Sequence, residues 1–270
     1  MSVNNLSKRL AAIGALVPEA DTMADIGTDH ALLPIHLVQS GVVERAIAMD
    51  INEGPLARAR EAVRKAGLEN RIETRLSDGF AALKKGEADC AVIAGMGGDL
   101  TIRILTDGME VVRALQEIIC APQSEIARVR AFAREQGFEI DAEDMVLEDG
   151  KYYQMFRLRR CAGNPEKHGC AEDESIAVSG ITISMREIGD HYGRELIRQR
   201  HPVLRSFLHW ERSVKEQILL QLTQNMHRDG TQALCPERTR NRIRQVRGEL
   251  ARNAAAMGMI NGTDQDVMLR

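Results

Sequence analysis

The sequence predicts an α/β protein: an open, mostly parallel sheet with helices on both faces, followed by an antiparallel helical extension. Three observations carry this. Apolar runs of strand length alternate with helical patterns as far as Glu135, the order that right-handed crossover units require. Asp149-Gly150 then separates two further strand-like segments, a two-residue hairpin signal. Beyond Ser184 two helical stripes replace the strand signals. Phe207, Trp210, Val214, Ile218 and Leu222 form one, and Ile243, Val246, Leu250, Ala254 and Met257 the other. Two such stripes let a pair of antiparallel helices hide one seam.

Taken in order, residues 6–16 read as a short helix and 22–26 as a buried strand. A helix over 32–39 follows, with Pro34 tolerated in its first turn because the amide it lacks has no intrahelical partner there. Residues 42–49 give the second strand, 55–66 a helix and 71–76 the third strand, closed by a turn at Asp78-Gly79. Residues 88–93 and 117–121 are continuous apolar strands, and 126–135 an amphipathic helix. The hairpin pairs 139–148 with 151–159, placing an antiparallel pair at the end of a parallel sheet. Asn-Pro, His-Gly and an acidic run mark 161–175 as a linker, so the chain divides into 1–160 and 161–270.

With 270 residues and 44% hydrophobic composition the chain has ample material for a packed core, which excludes general disorder. The net charge of -3 hides a gradient: residues 1–160 hold 20 Lys and Arg against 25 Asp and Glu, and residues 161–270 hold 16 against 14. Such totals neither identify nor exclude a nucleic-acid binder, since phosphate recognition depends on local positive surface. Cys90, Cys120, Cys161, Cys170 and Cys235 form an odd set without C-x-x-C spacing, as expected of small core residues in a reducing compartment. No apolar run reaches the roughly 18 residues that cross a bilayer, and no secretion signal is read at the N-terminus. The expectation is a cytoplasmic protein with no membrane association and no obligatory protein partner.

In an open α/β sheet, ligands collect beyond the carboxyl ends of the strands. Asp25 and Gly27 close the first strand, Asp50 the second, Asp78 and Gly79 the third, and Gly95-Met96-Gly97-Gly98 the fourth. Gly27 lets backbone approach a ligand, Asp25 orients a polar or cationic group, Asp50 suits the two hydroxyls of a ribose, and Asp78 suits an adenine edge. Individually the glycines also suit tight turns, Asp25 and Asp78 suit caps, and Met96 suits packing. Their joint placement favours a ligand. A nicotinamide dinucleotide is disfavoured because the first turn lacks G-x-G-x-x-G and carries Asp29 where pyrophosphate seeks amides. A P-loop is absent. S-adenosylmethionine, a sulfonium cation without pyrophosphate, fits the charge pattern better.

Leu6-Ser7-Lys8-Arg9-Leu10, Ala24-Asp25-Ile26-Gly27-Thr28-Asp29-His30-Ala31-Leu32-Leu33-Pro34, Gly95-Met96-Gly97-Gly98 and Asp149-Gly150-Lys151-Tyr152-Tyr153 together resemble the bacterial tRNA adenine-22 N1-methyltransferase family. The resemblance covers residues 4–160 and continues more loosely through the helical C-terminus. It implies a class I methyltransferase with a Rossmann-like sheet and a helical domain that helps engage tRNA, transferring the methyl group of S-adenosylmethionine to N1 of adenine 22. It assigns Asp25 and Gly27 to the first cofactor motif, Asp50 to the ribose, Asp78 and Gly79 to the adenine side, and Gly95 and Met96 to the wall near the methionine or target base. Asp29 takes the catalytic position. Methylated N1 makes the ring positive, which a carboxylate stabilises or relieves by accepting a proton from the N6 amino group. The N/D-P-P-Y/F motif of many adenine N6-methyltransferases is replaced here by Ala94-Gly95-Met96-Gly97-Gly98, which weighs against an exocyclic-amine mechanism.

Substrate candidates are Lys8, Arg9, His30 and Gln123, with Arg238, Arg240, Arg242, Arg244 and Arg247 as a basic stretch for tRNA phosphates. Arg58, Arg60, Arg64 and Lys65 form a further basic cluster that equally suits helix solvation. His30 also suits a structural hydrogen bond, and Tyr152 and Tyr153 suit strand packing. No histidine spacing recommends a metal. The alternatives are a methyltransferase acting on another RNA position or a small molecule, a non-enzymatic RNA-binding module, and a nicotinamide oxidoreductase.

Overall fold

The computed structural model describes residues 6–160, 174–228 and 237–262, and the chain divides into two compact units, 1–168 and 169–270. Cys161, Cys170, Cys235 and positions 161–173 of the expected linker lie outside the described residues.

The first unit runs α1 (Lys8–Leu16), β1 (Ala20–Ile26), α2 (Leu32–Ser40), β2 (Val43–Asp50), α3 (Glu53–Ala66), β3 (Ile72–Leu76) and β4 (Cys90–Ala94). It continues with α4 (Gly98–Asp107), α5 (Met109–Val112), β5 (Glu117–Ala121), α6 (Ile126–Glu135), β6 (Phe138–Glu148) and β7 (Lys151–Arg160). Ser7 begins α1 by accepting from the Leu10 amide at 3.2 Å, satisfying one of the donors that a helix start leaves free. One seven-stranded sheet has the order β3-β2-β1-β4-β5-β7-β6. The pairs among β1 to β5 are all parallel, and β7 is antiparallel to both its neighbours.

The expected hairpin is present, turning through Asp149 (φ 49) and Gly150 (φ 74). Its second strand docks against β5, so β6 runs in the direction of the parallel set and β7 alone opposes it. Arg130 of α6 anchors this pair. Its guanidinium donates to Glu143 of β6 at 2.9 Å and to Gln154 of β7 at 2.8 Å, and lies 5.0 Å from the Phe156 ring centroid.

The continuous apolar strands have one cause: both faces of the sheet are covered, so alternate side chains enter two different cores. Met23, Ala46, Cys90 and Val92 join Ile13, Leu37 and Val63 on one face. Ile26, Met49, Ile93 and Phe156 join Leu105 and Val129 on the other. Helix α4 is an addition to the expected elements. Its buried Gly98, Thr101, Ile104 and Leu105 follow helical spacing, but the preceding glycines read as loop.

The second unit begins with a small antiparallel hairpin, β8 (Ser175–Val178) and β9 (Ile181–Ser184), then α7 (Met185–Tyr192), α8 (Arg194–Arg198), α9 (Pro202–Arg228) and α10 (Glu237–Asn261). It is therefore not purely helical, and Ser175 is strand rather than linker. Asn253 of α10 donates to Leu208 O at 2.9 Å, and Glu249 meets Lys215 at 3.0 Å. Those contacts make α9 and α10 antiparallel. The seam on α9 is rotated from the expected stripe: Leu204 and Leu208 are buried, whereas Trp210 is 52% exposed. Polar pairs fill the rest, since Tyr192 and Asn253 both donate to Glu211 Oε2, at 2.8 and 2.9 Å. Among the described residues no helix is long and apolar enough to cross a membrane.

Candidate active site

All five parallel strands end on one side of the sheet, and the order reverses between β1 and β4, where a cleft forms in open α/β sheets. The turn after β1 folds over the end of β2: the amides of Gly27 and Thr28 both donate to Met49 O at 2.8 Å. Gly27 has φ 79, and a Cβ there would lie 2.1 Å from Met96 Cε. The Met96 side chain after β4 thus lies over Gly27 after β1 across the switch point, and a Cβ at Gly27 would require that methionine end to shift. His30 and Ala31 continue the turn with φ 57 and 50, a left-handed conformation that costs a non-glycine residue about 1–3 kcal/mol.

Beneath this turn Asp25 is 8% exposed. Burial pushes its carboxyl up to about 6; the neighbouring Thr28 hydroxyl opposes the rise and the charge of Asp50 adds to it. Thr28 Oγ1 is itself buried and makes no well-aligned hydrogen bond among the described residues. A costly buried carboxylate, a second carboxylate near it and a buried hydroxyl whose approach to Asp25 is poorly aligned together suit a ligand that brings positive charge and a hydrogen-bonding group. The ammonium and sulfonium of S-adenosylmethionine meet that requirement.

Asp50 uses Oδ1 to accept from the Asn52 amide at 2.7 Å, which fixes the carboxylate at the end of β2. Asp78 is exposed and lies 3.7 Å from Arg103. Gly79 (φ 56) packs so closely on Ile104 that an added Cβ would approach it to 3.1 Å. Asp78 and Gly79 border a cavity of about 460 Å³ whose lining includes Phe80, Lys85, Asp107 and Glu110.

The loops after β4 and β5 are zipped together: Gly95 N donates to Ala121 O at 3.2 Å and Gln123 N to Met96 O at 2.8 Å. A Cβ on Gly95 would meet Arg9 Nη1 at 3.7 Å and Gln123 Nε2 at 3.9 Å. Arg9 lies 5.3 Å from the Tyr153 ring centroid. Three sequence candidates far apart in the chain, Arg9, Gly95 and Gln123, therefore lie together at the end of β4. A Cβ on Gly98 would come within 2.5 Å of Ser124 O and 3.0 Å of Glu125 O. Because both neighbours are backbone, Gly98→Ala is expected to cost about 1–3 kcal/mol by overpacking, read as a lower urea midpoint with unchanged slope. An unchanged midpoint would show that the loops yield freely.

Asp29 is exposed and pairs with His30 at 3.5 Å and Arg58 at 3.4 Å. Lys8 is exposed, and its amide donates to Glu148 at 2.5 Å. Of the second basic cluster, Arg58 is drawn to Asp29, Arg60 to Glu53 and Thr74, and Lys65 to Glu61. In the second unit Arg238, Arg240, Arg242, Arg244 and Arg247 are all exposed on α10. Helical spacing puts Arg240, Arg244 and Arg247 on one face and Arg238 and Arg242 on another, where Arg242 lies 3.6 Å from Glu249. They form two surfaces rather than one patch. Among the described residues no group of His, Cys, Asp and Glu is placed to hold a metal ion.

Thr28, Tyr153 and Arg58 join the site by contacts that sequence alone assigned elsewhere or left out. Thr28 lay inside the quoted motif, but its burial beside Asp25 has no local signal. Tyr153 followed the rule for strand packing, and Arg58 that for a solvated helix face.

A doubly wound sheet with one reversed strand, and acidic and glycine turns gathered at its switch point, defines a class I methyltransferase; residues 6–156 match the family model described as a methyltransferase domain. The tRNA (adenine(22)-N(1))-methyltransferase of Bacillus subtilis strain 168 is 31% identical over 246 residues, spanning 91% of this chain and 94% of that protein. The chain belongs to the tRNA (adenine(22)-N(1))-methyltransferase family. The crystal structure of the B. subtilis m1A22 tRNA methyltransferase TrmK is similar with a TM-score of 0.76 at 28% identity, covering 94% of this chain and 99% of that one. Streptococcus pneumoniae Sp1610 in complex with S-adenosyl-L-methionine gives 0.74 at 25% identity, covering 94% and 100%.

Proposed function

We infer that the protein transfers the methyl group of S-adenosyl-L-methionine to N1 of adenine 22 in tRNA. The observation that carries this is the match to the B. subtilis enzyme through both units, 91% of the chain, joined to a strand-end site whose buried Asp25 and Thr28 suit a cationic nucleoside ligand. Residues 1–160 serve as the catalytic domain and 161–270 as the tRNA-binding domain. A tRNA substrate implies action in the cytoplasm.

When bound, S-adenosylmethionine supplies a methyl group activated by positive sulfur. Asp25, Gly27 and Thr28 hold its charged end, Asp50 its ribose hydroxyls, and Asp78 and Gly79 its adenine. Gly95 and Met96 would form the wall near its methionine moiety or the target base. Adenine N1 carries an in-plane lone pair, so the protein need not generate a nucleophile; its main task is to hold donor and acceptor in line. Asp29 then stabilises the positive ring or accepts an N6 proton. Lys8, Arg9 and His30 line the approach for the tRNA, and Gln123 faces the base. On α10, Arg240, Arg244 and Arg247 present three cations along one face to successive phosphates, while Arg238 and Arg242 contribute from the other.

The direct test is incubation of the purified protein with labelled S-adenosylmethionine and tRNAs bearing adenine or another base at position 22, followed by nucleoside analysis. N1-methyladenosine confined to the adenine-22 tRNA is the expected product. Label at another position, or in a small molecule only, would replace the positional reading with a different acceptor; tRNA affinity without transfer would leave a binding module.

A further inference from the structure

An enzyme that methylates adenine N1 must point the Watson–Crick edge of the base at the methyl donor. That edge is then unavailable for recognition, and the base must be read from its Hoogsteen edge, where N7 accepts and the N6 amino group donates. A carboxamide matches this pair with its own donor and acceptor, as a glutamine does when it reads adenine in a duplex groove.

Gln123 meets the geometric requirements. Its amide is tied to Met96 O at 2.8 Å, so its backbone is fixed to the loop that walls the acceptor position. Its side chain is exposed, with Nε2 reaching to 3.9 Å from where a Gly95 Cβ would stand. Gly95, with φ 79, places no side chain between Arg9 and Gln123. Arg9 closes the neighbouring side, its Nη1 3.7 Å from the same point and its guanidinium over the Tyr153 ring. The end of β4 thus presents one neutral donor–acceptor pair, flanked by a cation held on an aromatic face.

We propose that Gln123 determines adenine specificity by pairing its carboxamide with N7 and the N6 amino group of the target base, while Arg9, seated on Tyr153, bounds the pocket beside it. This rests on the inferred transfer to adenine 22 and adds which edge of the base is read and by which residue.

The test compares tRNA carrying adenine at position 22 with the same tRNA carrying 7-deazaadenine, which keeps N1 and N6 but lacks the N7 acceptor. For the unaltered protein kcat/KM is expected to fall about 10-fold on the deaza substrate, the loss of one hydrogen bond. Gln123→Ala is expected to be slower on adenine and to treat the two substrates alike, and Gln123→Glu, which cannot donate to N7, to do the same. tRNA affinity measured by gel shift should change little, because phosphate contacts dominate it. Equal rates of the unaltered protein on both tRNAs would overturn the proposal, as would a deaza penalty that persists undiminished in Gln123→Ala. Absence of transfer to the adenine tRNA would instead overturn the activity reading itself, and this one with it.

Discussion

Asp29→Ala is expected to slow methyl transfer by about 10²–10⁴-fold, the range that a positioned acid or base contributes, while the protein stays folded and still binds its cofactor. The separation follows from where Asp29 stands. Its side chain is 73% exposed and its partners, Arg58 and His30, are at the surface, so losing it should change stability by no more than about 0.5 kcal/mol. Asp25 and Thr28, the groups proposed to hold the cofactor, are buried behind the same turn, whereas Asp29 is at the surface. Single-turnover transfer, run beside equilibrium binding of S-adenosylmethionine, distinguishes the effects. A normal rate at full cofactor occupancy would remove Asp29 from the chemistry. Asp29→Asn separates charge from shape: an equal loss means that the carboxylate charge is required.

Asp25→Asn is expected to stabilise the free protein at neutral pH and weaken it as a methyl-donor receptor. The Asp25 carboxyl stands at about 6, raised from an ordinary 3.8, chiefly through burial. The native state therefore holds this proton more tightly than the unfolded chain. The associated stability is fully present below about pH 4 and is lost as pH rises through about 6, leaving a burden of about 3 kcal/mol on the ionised free protein at pH 7–8. An amide of the same shape avoids that burden. Urea unfolding should show Asp25→Asn more stable by about 2–3 kcal/mol at pH 8, with little difference at pH 4. Cofactor affinity should fall by about 10- to 100-fold for want of the charged hydrogen bond. A variant no more stable at pH 8 than at pH 4, relative to the parent, would mean that Asp25 is already neutralised in the free protein.

The positions of these two carboxylates were legible in the sequence because a parallel strand covered on both faces is an unbroken apolar run, and its end is marked by the first acid or glycine. Asp25, Asp50 and Gly95 all declare themselves in this way. What escaped depends on partners distant in the chain. The start of α4 looked like loop because Gly98 is glycine, yet the space for a side chain is denied by the backbone of Ser124 and Glu125. Tyr153 read as packing since nothing near it in sequence announces that Arg9 rests on its ring. On α9 the most apolar stripe is not the seam. The actual seam includes Glu211 and Lys215, whose burial is tolerable only because Tyr192, Asn253 and Glu249 satisfy them. The small β8–β9 hairpin had a signal, the turn at Ser179-Gly180, but its strands are four residues each and show little periodicity.

The reversed strand also sets an order of assembly. As the chain emerges it passes from β5 to β6 leaving a gap one strand wide, and the piece that fills the gap comes last. Asp149-Gly150 lets β6 and β7 zip locally, on the microsecond scale of a hairpin, before the pair docks and brings Arg159 onto Glu117 of β5 at 2.6 Å. Until Arg160 has been made, Ile118, Ile119 and Cys120 form a bare apolar edge, a template for any passing strand. A nascent chain stalled just short of its hairpin partner therefore already holds the strand-end carboxylates Asp25, Asp50 and Asp78 but leaves the β5 edge unpaired.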